Sequence, residues 1–118
     1  MNSKVDPTTA TLVQMLDATA KRHRVLSNNL ANVDTPGYIR KDMSFENELA
    51  EAVSAGHPES AQFTVTEDTS DLPRADGNNV NVEKELSEMN KNSMTHQMAL
   101  QLLQSKMAME RIAVTGKS

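Results

Sequence analysis

Core-compatible positions recur along the first part of the chain in alternating steps of four and three: Leu12, Leu16, Thr19, His23, Leu26, Leu30 and Val33. This heptad-like spacing predicts one long helix from about residue 8 to 33, roughly 39 Å at 1.5 Å per residue. Asp6-Pro7-Thr8 supplies a helix start. Thr19 and His23 interrupt the apolar seam, which sets register at some cost in stability. A second run near the C-terminus has the same spacing, through Val82, Leu86, Met89, Ser93, His96, Leu100, Leu103, Met107 and Val114. It predicts a helix over about 82–114, with Asn81 as N-cap and Gly116 as stop. Met94, Met98, Leu102 and Met109 widen its apolar face. Glu83, Glu85 and Glu88 near its start and Lys106 and Arg111 near its end complement the helix dipole.

Between the two runs the pattern is weaker. Phe45, Leu49 and Val53 predict a short amphipathic helix, with Ser44 as its N-cap and Gly56-His57-Pro58 as its end. Phe63-Thr64-Val65 alternates and predicts a short strand. Residues 67–81 are rich in Asp, Ser, Pro, Gly and Asn and are expected to form a loop. The fold class expected is therefore mainly α. Long N- and C-terminal helices pack as an antiparallel coiled-coil hairpin, with a small, partly irregular middle segment. The divisions expected are 1–38, 39–81 and 82–118.

The most informative stretch is Asn28-Asn29-Leu30-Ala31-Asn32-Val33-Asp34-Thr35-Pro36-Gly37-Tyr38. A residue before proline avoids helical geometry, so the first helix should stop by Asp34 or Thr35. Pro36 and Gly37 suit the two central positions of a type II turn, because proline presets φ and glycine accepts a positive φ. Tyr38 offers an amphipathic anchor after the turn. Such a device sets the angle between a long helix and the next segment of chain, which is a structural task.

Composition narrows the function further. The chain has 118 residues with 37% apolar and 3% aromatic content and no tryptophan. Aromatics dominate core energetics, so a core this poor in them is expected to be completed by assembly. Cysteine is absent, which excludes disulfides, thiolate metal sites and cysteine nucleophiles. The net charge of -4 argues against nucleic-acid partners and anionic membranes. No apolar run approaches membrane-spanning length, so direct membrane insertion is not expected. The segment Met1 to Pro7 lacks the apolar core of a cleavable signal peptide.

Candidate chemistry is sparse. Asn28, Asn29 and Asn32 each carry a carboxamide that both donates and accepts, so they can serve either helix-end geometry or packing between subunits. Lys21-Arg22-His23-Arg24 is a short basic run without interleaved aromatics. It reads as a solvated face, or as a partner for the acidic start of the C-terminal helix. His23 and His96 fall on the two seams, but a zinc site needs three or four ligands and no His-x-x-x-His spacing occurs. The methionines from Met89 to Met109 read as flexible fillers of an apolar face. Asp68, Asp71 and Asp76 lack the calcium-loop spacing, and no nucleophile elbow is present. No catalytic, cofactor or metal site is expected.

The Asn28–Tyr38 stretch resembles the N-terminal motif of the bacterial flagellar axial proteins of rod and hook, and this resemblance tips the asparagines toward packing between subunits. Arg74-Ala75-Asp76-Gly77-Asn78-Asn79-Val80-Asn81-Val82-Glu83-Lys84-Glu85 resembles the segment before the C-terminal helix of the proximal rod proteins. The resemblance implies a structural subunit of a hollow, torque-transmitting shaft in the basal body. It further implies export by the flagellar type III apparatus. Implied partners are copies of itself, other rod proteins, the rod-to-export-gate adaptor and the membrane-ring base. It places packing on Leu12, Leu16, Leu26, Leu30, Val33, Leu86, Met89, Leu100, Leu103 and Met107, and motif geometry on Asn29, Asn32, Pro36, Gly37 and Tyr38. A second class fits the residues alone: a soluble helical binding module, such as an export chaperone or adaptor, holding a partner helix in an apolar groove.

Overall fold

The computed structural model describes residues 6–116. Most of the segment read for a signal peptide lies outside them. Among the described residues, three helices, a 3-10 turn and one minimal strand pair make up the fold. Helix α1 spans Pro7–Ala31, α2 spans Glu46–Ser54 and α3 spans Val82–Thr115. The molecule is elongated, 65 × 28 × 17 Å, with a radius of gyration of 18.2 Å. A compact globule of similar length would have about 13 Å.

Local chemistry explains the helix ends. Asp6 caps α1 by accepting a hydrogen bond from the Thr9 amide at 2.9 Å, with Pro7 in the first turn. Asn81 caps α3 by accepting from the Lys84 amide at 3.2 Å. Gly116 closes α3 in the left-handed region at φ 70. Helix α1 stops at Ala31, earlier than the expected 33, so Val33 falls beyond the helix. The cause is Asn32, whose side-chain amide donates to the Asn28 carbonyl at 2.8 Å while its carbonyl oxygen accepts from the Thr35 hydroxyl at 3.0 Å. Helix α2 has no side-chain cap. Ser44 instead donates to the Glu46 carboxylate at 3.2 Å, and that carboxylate also takes the Phe45 amide. Val53 is exposed, and Ala52 is buried in its place.

The expected strand at 63–65 is absent. The pairing lies a few residues on, where β1 (Lys41–Asp42) meets β2 (Thr66–Glu67) antiparallel, Lys41 opposite Glu67 and Asp42 opposite Thr66. Phe63 is used differently: its ring packs edge-on against Phe45, centroids 6.0 Å apart. That pair belongs to a small apolar core of Ala18, Met43, Phe45 and Leu49, flanked by Met15, Val25, Ala61 and Phe63. The middle segment thus covers one side of α1.

Helices α1 and α3 lie side by side and run antiparallel. Asp6 at the start of α1 meets Lys106 near the end of α3 at 3.0 Å, and Arg22 meets Glu88 at 2.7 Å. The basic run therefore does reach the acidic start of α3, through Arg22. The face of α3 turned to α1 differs from the expected seam. Its buried residues are Glu85, Asn92 and Ala99, and the buried residues of α1 outside the middle-segment core are Leu12, Thr19, Leu26 and Asn29. Met89, His96 and Leu103 are half-buried, as are Leu16 and Leu30. Val82, Leu86, Leu100, Met107 and Val114 are exposed and do not form the seam within the chain. The reason is that α3 carries apolar residues on both flanks, so periodicity alone does not single out the face that meets α1.

This arrangement makes a contrast measurable by chemical denaturation of the isolated chain. Leu26→Ala removes a fully buried side chain and should cost about 2–5 kcal/mol. Leu100→Ala should change stability by less than about 0.5 kcal/mol. Equal losses would restore Leu100 to the intrachain seam.

Candidate functional site: the interlocked motif junction

The two motif segments meet in space. After α1, the chain turns through Thr35-Pro36-Gly37-Tyr38, where the Tyr38 amide donates to the Thr35 carbonyl at 3.2 Å and Gly37 sits at φ 75. This is the geometry of a type II turn. The Arg74–Asn81 segment docks onto it. Asn78, fully buried, donates from one amide nitrogen to the carbonyls of Asn32 and Thr35, both at 2.8 Å. Arg74 reaches across to the Val33 carbonyl and to its own Val80 carbonyl, each at 2.6 Å. The Gly37 amide donates to the Asp76 carbonyl at 2.8 Å. Gly77, at φ 84, approaches so closely that a Cβ there would lie 3.2 Å from the Gly37 Cα. Two backbones touch at that point, and only glycine leaves room.

Beneath the turn lies a buried polar hub. Arg40 and Glu85 are both 0% exposed. The Arg40 guanidinium donates from Nε to Glu85 Oε1, from Nη2 to Glu85 Oε2 at 3.2 Å, and from Nη1 to Asp68. The bidentate geometry is that of a strong charge-assisted pair. Asn29 completes it: its amide nitrogen donates to Glu85 at 3.2 Å and to the Lys41 carbonyl at 2.7 Å. Its carbonyl oxygen accepts from the Lys41 amide at 2.8 Å and the Tyr38 hydroxyl at 3.1 Å. Asn79 accepts the Arg40 amide at 2.7 Å and donates to the Asp68 carbonyl at 2.7 Å. These groups come from five local segments, so the hub ties α1, the turn, β1, the loop and α3 together.

Electrostatics reflect this packing. Burial works against the Arg40 charge, but Glu85, Asp42 and Asp68 outweigh it and hold the guanidinium above its ordinary pKa. Asp68 is lowered to about 2, first by hydrogen bonds from the Ser70 hydroxyl and amide and then by Arg40. Burial raises the Tyr38 phenol above its usual value.

The asparagine cluster thus differs from the expectation of packing between subunits. Asn29 is fully buried, and Asn32 and Asn28 bond within the chain, Asn28 to the Tyr38 hydroxyl at 3.2 Å. Pro36 and Gly37 are exposed on the outside of the turn. The sequence pattern does not mark Arg40, Asn78, Asn79 and Glu85 as geometry-bearing residues. A cation five residues before Phe45, the residue that precedes α2, carries no periodic signal. Only the doubled Asn78-Asn79 after Asp76-Gly77 hints at side chains bonding to backbone. Among the described residues, no group of three or more His, Cys, Asp or Glu is placed to hold a metal ion.

Removing one member of the hub should be costly. Arg40→Met leaves Glu85 buried without its counter-charge and should lose about 3–5 kcal/mol. Adding Glu85→Leu should recover most of that loss, since Asn29 keeps the Lys41 carbonyl and Asp68 keeps Ser70 and Lys84. A denaturation series in which the double variant is worse than Arg40→Met would refute the ion pair as the hub. Asp68 gives a pH handle. Its folded pKa lies below the unfolded value of 3.8, so its contribution is present above that value and lost as pH falls toward about 2. Asp68→Asn should flatten that part of the acid-denaturation profile.

Comparison with known proteins places this junction in context. The family model described as "Flagella basal body rod protein" matches residues 11–38, which carry α1 and the turn. The chain is 30% identical to the flagellar basal body rod protein FlgB of Salmonella typhimurium, over 80% of this chain and 83% of that protein. It is 33% identical to FlgB of Aeromonas hydrophila, covering 79% and 81%. It is 36% identical to FlgB of Aquifex aeolicus, covering 72% and 74%. A chain with this turn, its docked second segment and this similarity along most of its length belongs to the FlgB family of flagellar basal body rod proteins, structural subunits of the rod.

Proposed function

We propose that this subunit occupies the proximal rod and builds a hollow drive shaft by coiled-coil packing of α1 and α3 against neighbouring subunits. The observation that carries the proposal is the state of α3. This 34-residue helix buries one narrow face against α1 and leaves Leu86, Met94, Met98, Leu100, Leu102, Met107 and Met109 exposed. A helix with apolar side chains on several faces belongs inside a larger core. Leu12, Leu16, Leu26, Leu30, Val33, Met89 and Leu103 hold the hairpin, while Leu86, Leu100 and Met107 pack between subunits. Asn29, Asn32, Pro36, Gly37 and Tyr38 act together with Arg40, Asn78 and Glu85 to fix the angle between that hairpin and the middle segment.

In this role the mechanism is stiffness and register, with no chemical turnover. The three divisions 1–38, 39–81 and 82–118 act as inner helix and turn, outer segment, and inner helix. The partners are copies of the chain, other rod proteins, the rod-to-export-gate adaptor and the membrane-ring base, reached after export by the flagellar type III apparatus. Among the described residues no helix is long and apolar enough to cross a membrane. Membership of a structural rod family sets aside the separate binding-module reading.

Two variants test the proposal in a strain whose own copy is deleted. Pro36→Ala with Gly37→Val should leave secretion of the subunit intact while abolishing rod assembly and swimming. Leu100→Asp places a charge on an exposed flank, so the isolated chain should keep its circular dichroism while incorporation fails. Normal motility with Leu100→Asp would remove the α3 flank from assembly. Hydrogen exchange on the dilute chain should show weaker protection in the last turns of α3 than in the turns packed beside Leu26 and Arg40.

A further inference from the structure

The minimal strand pair has two edges, and the chain treats them differently. The Asp68 amide donates to the Arg40 carbonyl at 2.8 Å, and Asp42 lies opposite Thr66. In an antiparallel pair this alternation turns the backbone groups of Thr66 toward β1 and those of Lys41 and Glu67 away from the partner strand. On the β1 edge both outward groups of Lys41 are taken. The Asn29 carboxamide accepts from the Lys41 amide at 2.8 Å and donates to its carbonyl at 2.7 Å, as a neighbouring strand would. On the β2 edge the same alternation sends outward the amide and carbonyl of Glu67. The Val65 carbonyl joins them, because it opposes the Thr66 amide across one peptide plane. Among the described residues no other segment bonds to these three groups.

Nothing shields this edge. Thr64, Val65, Thr66 and Glu67 are all exposed. Residues 61–67 hold neither lysine nor proline, two residues that commonly blunt an edge. Free amide and carbonyl groups in a row bind extended chain by adding a strand. The surrounding charge selects which strand. Residues 42–73 contain no Lys or Arg. Asp42 and Asp68 face Arg40, whereas Glu48, Glu51 and Glu67 are exposed and, among the described residues, form no ion pair. Lys41 lies opposite Glu67 in the register and makes no ion pair with it. A second copy paired edge to edge would bring one acidic segment against another, which like-charge repulsion opposes. Side chains two residues apart share a strand face, so Val65 and Glu67 project together. A strand added beside them meets both with one of its own faces.

We propose that the free β2 edge docks an extended, basic segment of another protein, which joins as a third strand with an apolar residue beside Val65 and a lysine or arginine beside Glu67. A third strand also offsets the weakness of the ribbon itself, since two strands alone are marginal. The site uses the middle segment and stands apart from the packing of the long helices.

The probe is a heptapeptide capped at both ends, with threonine at its odd positions and valine, lysine and valine at its even ones. Added to the full chain at low ionic strength and at about ten times its Kd, it should slow hydrogen exchange of the Glu67 amide about ten-fold. The Thr66 amide, already bonded to β1, should not change. The same peptide with glutamate in place of lysine should bind about five-fold more weakly. A fully N-methylated form keeps every side chain and charge but has no amide donor, and it should not bind. Glu67→Gln, at an exposed position, leaves the fold intact and should weaken the lysine peptide about three-fold. Equal binding of the lysine and glutamate peptides would overturn the basic partner. Binding of the N-methylated form, or protection that spares Glu67, would overturn strand addition. Protection of Glu67 that rises with the concentration of the chain alone would assign the edge to a second copy and overturn a foreign occupant. No binding of the lysine peptide up to about 1 mM would overturn the docking site itself. None of these results bears on motility with Leu100→Asp, so the rod reading and this one fail separately.

Discussion

The Arg40–Glu85 ion pair is the interaction on which the remainder of the structure depends. Each partner is fully buried, so each is tolerable only because the other is present. Neither belongs to an apolar core in the usual sense. Arg40 lies just before β1, and Glu85 lies in the first turn of α3. Their union pins the start of α3 to the chain that leaves the α1 turn, while Asn29 ties both to α1 itself. The pairing of β1 with β2 is too short to be stable alone and depends on the same hub, since the Arg40 carbonyl accepts the Asp68 amide at 2.8 Å. A polar hub of this kind is demanding about geometry, because a slipped arrangement leaves charge unpaired. It supplies the uniqueness that a core of two phenylalanines cannot.

The two sequence motifs are best understood as the halves of one joint. The first ends α1 and turns the chain at Pro36-Gly37. The second lays Asp76-Gly77-Asn78-Asn79 over that turn, where the Asn78 side-chain amide donates to the Asn32 and Thr35 carbonyls. Gly77 and Gly37 meet backbone to backbone, which explains why both segments carry glycine. A joint made of side chains bonded to backbone has few soft torsions to yield, which suits a structural subunit of the rod.

The same subunit is firm at the joint and unfinished along α3. Near the joint, α3 is held by Glu85, Glu88 and Asn92. Beyond Lys106 it extends past the start of α1 with Met107 and Met109 exposed. Stability is thus graded along the helix, highest beside the hub.

Much of the architecture is legible in the residues. Caps at Asp6, Asn81 and Gly116, the break before Pro36 and the lengths of α1 and α3 are local matters, decided by proline φ, glycine tolerance and the reach of a short side chain to a nearby amide. The meeting of the basic run with the acidic start of α3 is one of two readings the residues allow, and the structure selects it through Arg22 and Glu88. The strand lies a few residues from its expected place because Phe63 answers to Phe45 and not to strand alternation. The role of Asn29 escapes a sequence reading because a carboxamide looks the same whether its partners are in its own chain or the next. Sequence by itself therefore determined the start of α1, both ends of α3 and the turn at Pro36-Gly37. Only the tertiary structure decided which face of α3 meets α1 and which charges are buried. Helical period identifies apolar stripes without ranking them when there are two, and the burial of Arg40 and Glu85 exists only once distant segments have closed around them.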